Sequence, residues 1–165
     1  REVGQEYLQN VLDTAKQLDA YDSGRIYYYL GEYQKAYLAL DEARDKGGAD
    51  SYLYLGRAYA ATGDYNYASS VYNNYLSKQG PNAEIYNELG LCEMAKKEYQ
   101  NALAAFQAGK QIEGNSLMQT LCFNEIVAYE YLEDYQQAEV LMNAYLQNYP
   151  DDQTAIREQQ FLSTR

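Results

Sequence analysis

One short motif recurs four times along this chain: an acid, a tyrosine, any two residues, then alanine. It reads Glu32-Tyr33…Ala36, Asp64-Tyr65…Ala68, Glu98-Tyr99…Ala102 and Asp134-Tyr135…Ala138, with tyrosine spacings of 32, 34 and 36 residues. A period near 34 is that of a stacked array, in which each unit buries its apolar face only against its neighbours. Other positions keep phase with the motif. Seven after each tyrosine stand Leu40, Tyr72, Phe106 and Met142, and nine before stand Gly24, Gly56, Gly90 and Ile126. Within a unit the large residues fall three, four or seven apart, a helical spacing and not the alternation of a strand. Gly31 and Gly63 precede the motif, while Gly47-Gly48, Gly80-Pro81, Gly114 and Pro150 follow it. Each unit therefore reads as helix, tight turn, helix, loop.

The second unit, YLYLGRAYAATGDYNYASSVY at Tyr52–Tyr72, carries an aromatic, then Leu-Gly, then Tyr, and after the turn Gly-Asp-Tyr, a small Ala and an aromatic. In that order these residues resemble the tetratricopeptide repeat. The resemblance covers about Leu18 to Pro150 and weakens in the fourth unit, where Cys122, Glu125 and Ile126 replace the aromatic, the Leu and the Gly. It implies an all-α fold, a right-handed α-α superhelix or solenoid of helix pairs. The expected layout is one continuous domain: an N-terminal capping helix at 1–16, repeats at 17–48, 49–82, 83–118 and 119–150, and a C-terminal capping helix at 151–165. Asp151-Asp152 should start that last helix, with Glu158-Gln159-Gln160 on its solvent side. Gly24, Gly56 and Gly90 stand mid-helix, where glycine costs roughly 0.5–1 kcal/mol against alanine. The cost is tolerable where two helices approach closely, and Ala36, Ala68 and Ala102 are the small residues expected to face them.

Several kinds of function are excluded by what the chain carries. Its 13 basic and 24 acidic side chains leave a net charge of −11, which repels phosphate backbones and anionic headgroups and argues against a nucleic-acid partner. No apolar run approaches the roughly 18 residues of a membrane span, so direct insertion of this chain is not expected. There is no histidine, which removes the commonest general base and the commonest transition-metal ligand. No phosphate-cradling glycine loop or calcium-loop spacing occurs, and the acids Glu32, Asp64, Glu98 and Asp134 recur by repeat as turn residues. No catalytic residue, metal site or cofactor is expected, and the chain reads as a non-enzyme. Cys92 and Cys122 read as buried inert thiols, with a disulfide as the alternative.

The tyrosines pose the functional question. Three stand in a row at Tyr27-Tyr28-Tyr29, and a helix cannot bury all three rings in one core. Tyr27 holds the core phase. The resemblance implies that the positions one and two after it, and two and six before it, look into the concave groove of the array. Carried over, that face comprises Tyr21, Arg25, Tyr28 and Tyr29, then Leu53, Arg57, Ala60 and Ala61. The third repeat gives Asn87, Leu91, Met94 and Ala95, and the fourth Phe123, Val127, Glu130 and Tyr131. A single exposed tyrosine needs no function. A run of rings with two arginines one repeat apart reads as a recognition surface, since Tyr and Arg are enriched in binding hot spots. Its expected ligand is a protein or peptide segment with an acidic group near aromatic or aliphatic side chains.

The clamp by which some tetratricopeptide domains hold an acidic C-terminus would fall on Tyr21, Arg25, Tyr54, Glu84 and Glu88. Only Arg25 there is basic, so that partner is not expected. The alternative to a binding scaffold is structural self-association into a homo-oligomer. The chain opens on Arg1 and not Met, which reads as a processed or trimmed product. Its acidic, tyrosine-rich composition is similar to that of exported, lipid-anchored tetratricopeptide proteins of Gram-positive bacteria. An exported, membrane-anchored location is the expectation, with a cytoplasmic adaptor as the alternative.

Overall fold

Helical spacing in the sequence becomes helix throughout. The computed structural model of the chain describes residues 2–15 and 17–165, without the side chain of Glu2; Arg1 and Lys16, the ends of the expected N-terminal cap, lie outside the described residues. Among the described residues there are ten helices and no strand: α1 (Glu2–Thr14), α2 (Ala20–Leu30), α3 (Tyr33–Asp45), α4 (Ser51–Ala61), α5 (Tyr65–Gln79), α6 (Ala83–Ala95), α7 (Tyr99–Lys110), α8 (Met118–Tyr131), α9 (Tyr135–Asn148) and α10 (Gln153–Leu162). The chain divides into two units, one ending at Gly80 and the other starting at Pro81. In the first, α2 packs on α3 and α4 on α5, with α1 laid against α2; in the second, α6 packs on α7, α8 on α9, and α10 closes on α9.

The turn inside each pair has one geometry. Gly31, Gly63, Lys97 and Glu133 hold equivalent positions, and all four have positive φ, at 80°, 85°, 64° and 60°. That left-handed residue reverses the chain in two steps, and glycine fits it without strain. The acid that follows starts the second helix. Asp64 and Asp134 accept from the backbone N–H three residues on, Tyr67 at 3.1 Å and Gln137 at 3.2 Å. Glu32 and Glu98 occupy the same place but their longer side chains form no cap; Glu32 pairs with Lys35 instead. Asp152 caps α10 through Thr154 and Ala155.

The phased residues make the core. Leu40, Tyr72, Phe106 and Met142 are fully buried, as are Ala36, Ala68, Ala102 and Ala138. The side chains nearest the mid-helix glycines are the large residues that follow those alanines. A Cβ built on Gly24 would come within 2.5 Å of the Leu40 side chain, one on Gly56 within 2.3 Å of the Tyr72 ring, and one on Gly90 within 2.3 Å of the Phe106 ring. Each glycine thus leaves room for a large buried side chain of the partner helix, one turn beyond the alanine. In the fourth pair Ile126 stands in the glycine's place and the opposing ring becomes Met142. Both are buried, because an unbranched thioether bends around a branched neighbour as a rigid ring cannot.

Two buried acids in this core are each paired with a lysine. Glu93 is buried and bonds Lys96 at 2.8 Å. Glu125 is buried against the Lys110 ammonium and accepts from Gln107 at 2.9 Å. Burial works against the Lys110 charge, yet the hydrogen bond and the charge of Glu125, with Cys122 adding to them, together hold its pKa above the usual value. Cys92 and Cys122 form no disulfide, and burial pushes Cys92 up to about 12, with Glu88 and Glu93 adding to it. On α10 the buried side chains are Ala155 and Leu162. Glu158, expected on the solvent side, is half-buried, because it faces Glu130 of α8.

Candidate functional site

The first unit carries a cluster built from two helices. From α2 come Tyr21, Arg25, Tyr28 and Tyr29, whose offsets of four and three residues put them along one stripe. From α4 come Tyr54 and Arg57. The Tyr54 ring is the centre: Tyr21, Tyr28 and Tyr29 meet it edge-to-face, with centroids at 6.2, 5.8 and 5.9 Å. Such contacts hold aromatic rings in fixed mutual orientation, each worth about 0.5–1.5 kcal/mol beyond its buried area. The hydroxyls of Tyr29 and Tyr54 share a hydrogen bond of 3.1 Å. That bond, then burial, raises the Tyr29 pKa, and burial does the same for Tyr21.

Both arginines rest on this platform. The Arg25 guanidinium lies 5.2 Å from the Tyr21 centroid and 5.1 Å from that of Tyr54. Arg57 lies 5.6 Å from Tyr54. A cation over a ring gains roughly 0.5–1 kcal/mol at an exposed site, and a guanidinium held this way presents its N–H fork in its own plane, at the geometry a carboxylate accepts. Arg25 also meets Asp22 at 3.9 Å, with both side chains well exposed, at 40% and 52%. A pair that long and that wet is worth under about 1 kcal/mol. Tyr29 is half exposed, whereas Tyr28 packs against the core of the unit, as does Tyr27. Tyr27 sits at the core margin under Lys35, whose ammonium is 5.4 Å from its centroid.

The remaining residues read from sequence do not form a second such cluster. Leu53 is half-buried on α4. Asn87 of α6 is almost fully buried, and its side-chain oxygen accepts from Asn124 of α8 at 2.9 Å. Leu91 is exposed. Phe123 packs edge-on to Tyr145, at 5.7 Å, within the core of the fourth pair. Val127 is half-buried, and Tyr131 is exposed but stacks on Tyr99 at 5.0 Å. Tyr54 is the member that sequence reading missed as a recognition residue. Its equivalents are Asp22, Glu88 and Asn124, so no periodic signal marks it. Its place three residues before Arg57, on the same helical face, was the available clue.

Among the described residues no group of three or more acids and thiols is arranged to hold a metal ion, and no helix is long and apolar enough to cross a membrane.

Paired helices with a left-handed turn residue, a glycine against a large side chain and an aromatic surface on the first helices define a helical-repeat protein. Tetratricopeptide-repeat models match residues 21–66, 55–115 and 123–152. The chain belongs to the tetratricopeptide repeat family. Its fold is similar to a crystal structure of MamA protein, at 19% identity and a TM-score of 0.76, over 87% of this chain and 78% of that one. It is also similar to TTC0263, a thermophilic tetratricopeptide protein of Thermus thermophilus, at 16% identity and a TM-score of 0.75, over 99% of this chain and 91% of that one. No curated protein matches the chain in sequence. The family fold is that of a protein-interaction scaffold in general.

Proposed function

We propose that this chain is a noncatalytic scaffold that binds a protein segment on the Tyr/Arg surface of α2 and α4. The segment presents a carboxylate beside an aromatic or aliphatic side chain. The observation that carries this reading is the stacking of Arg25 and Arg57 on Tyr54 within a ring of three further tyrosines. Two guanidiniums held by rings form a positive spot on a chain of net charge −11, and a carboxylate meets them with charge-assisted, bidentate geometry. The rings supply flat apolar area at low entropy cost. Asp22 holds Arg25 only weakly and gives way to a better acceptor.

A peptide chosen by display against the intact protein tests it. The double change Arg25→Glu, Arg57→Glu lowers affinity by more than a hundredfold, and Tyr28→Ala lowers it several-fold, while the double variant loses at most about 3 kcal/mol of stability from its three cation–π contacts. Unchanged affinity in the folded double variant places recognition elsewhere. Self-association is the second reading, favoured by the exposed Val3 and Tyr7 of α1. Sedimentation equilibrium separates the two: a dimer abolished by Val3→Glu and untouched by the arginine changes supports self-association.

A further inference from the structure

At the other end of the chain two carboxyls meet. Glu130 of α8 and Glu158 of α10 line a cavity of about 420 Å³ together with Tyr131, Glu133, Tyr135 and Phe161. Oε1 of Glu130 is buried with no hydrogen-bond partner, and the Glu158 carboxyl lines the same cavity. Two carboxylates sharing one partly buried cavity repel each other, which favours a proton on one of them. The surroundings give little relief. Glu133, in the turn after α8, adds a third acid to the lining, and α9 contributes Tyr135. The Arg165 guanidinium is engaged by rings, 4.4 Å from the Phe161 centroid and 5.7 Å from that of Tyr135. Asp134 and Glu139 by α9 and Arg157 of α10 are not part of the lining. Burial, and then the neighbouring Glu158, raise the Glu130 carboxyl to about 7.

The pair sits where it can move a helix. Ala155 and Leu162 of α10 pack into one apolar cluster with Ile126 of α8 and Ala138 and Met142 of α9. The start of α10 is tied separately, by Tyr145 donating to Asp152 at 2.6 Å. The Glu130–Glu158 contact falls between Ala155 and Leu162 along α10.

We propose that the Glu130–Glu158 pair is a proton-operated latch for the C-terminal helix. With one proton shared, α10 is seated on the fourth pair. With both carboxyls ionised, the second half of α10 lifts and uncovers the apolar seat of Leu162. The seated state holds the proton more tightly than the open one, since its carboxyl lies above the ordinary glutamate value of about 4.3. Seating is therefore fully favoured in acid and is lost as pH rises through about 7. One linked proton allows the opening constant to rise by up to tenfold per pH unit within that window.

Amide hydrogen exchange along α10 between pH 5 and 8, corrected for the intrinsic pH dependence of exchange, tests the latch in the intact chain. The opening constant of the wild type should rise more than tenfold between pH 5.5 and 7.5. In Glu130→Gln, whose amide keeps a donor for Glu158 but cannot titrate, it should be flat. A flat wild type, or an equal rise in the variant, overturns the proposal. If Glu130→Gln does not fold, Glu158→Gln takes its place. The carbon-13 shift of the Glu130 carboxyl is a separate readout: titration near 7 supports the latch, and titration near 4.5 overturns it.

Discussion

Changing Gly56 to alanine adds one methyl group at the closest approach of α4 to α5. The new carbon would stand 2.3 Å from two Tyr72 ring carbons and 2.7 Å from the phenol oxygen. Carbon atoms rest about 3.5–4.0 Å apart, so the two helices must separate by more than about 1 Å. Tyr72 is fully buried and cannot swing into solvent to make room. Overpacking of this kind costs about 1–3 kcal/mol, against which alanine returns about 1 kcal/mol of helix propensity. A contact this short sits in the upper part of that range, so the net loss should be about 1–2 kcal/mol. Gly4 in α1 provides the control, because a Cβ there meets nothing within 4 Å. The same substitution at Gly4 should gain up to about 1 kcal/mol. Urea unfolding followed by far-UV circular dichroism compares the two, with Tm shifts of roughly 2–4 °C per kcal/mol as a second readout. If Gly56→Ala is as stable as the wild type, the glycine–ring contact does not hold the pair together and the packing account fails.

Other outcomes follow from the same structure. Lys97→Gly relieves a left-handed residue at φ 64° and should stabilise the chain by about 0.5–1 kcal/mol in thermal unfolding, the strain relieved being partly offset by the entropy of glycine; a loss would mean that the turn depends on the lysine side chain. Lys110→Met strands the buried Glu125 and should cost about 3 kcal/mol, whereas Lys110→Met with Glu125→Leu should be near neutral in denaturant titration; equal losses in both would show that the pair is not the cause. Cys92, raised to about 12, should resist iodoacetamide at pH 8 in the native protein, because only on the order of one thiol in ten thousand is ionised there, and should react once the chain is unfolded; native reactivity equal to that of the unfolded chain would contradict its burial.

The repeat phase carried most of the fold. It named Leu40, Tyr72, Phe106 and Met142 as large core residues from spacing alone, and each is fully buried. It named the glycines as close-approach points and the alanines as their facing residues, but not Leu40, Tyr72 and Phe106, whose side chains come nearest. The sequence shows that a small residue is needed, not how far along the facing helix the opposing side chain reaches. The turn residue was legible in Gly31 and Gly63 and hidden at Lys97 and Glu133, because backbone hydrogen bonds impose the left-handed conformation there without a glycine. In the recognition cluster the α2 residues were readable from the aromatic run, whereas Tyr54 was not, since its role depends on which α4 side chain leans over α2. Glu158 was misplaced for a similar reason: on its own helix it looks polar and outward, and only the packing of α10 against α8 turns it inward.

In the proposed function the Tyr/Arg surface meets a partner's acidic and apolar segment. Replacing Tyr29, which is 52% exposed, with a photo-crosslinking phenylalanine in the native full-length protein tests it most directly, with Leu38 of α3, 74% exposed, as the control position. Light-dependent crosslinks are expected from position 29, and not from position 38, to a segment of another protein that carries Asp or Glu beside Phe, Tyr, Leu or Ile, and they should be lost in the Arg25→Glu, Arg57→Glu background. Equal crosslinking from both positions, or crosslinks from position 29 that survive the arginine changes, would contradict it.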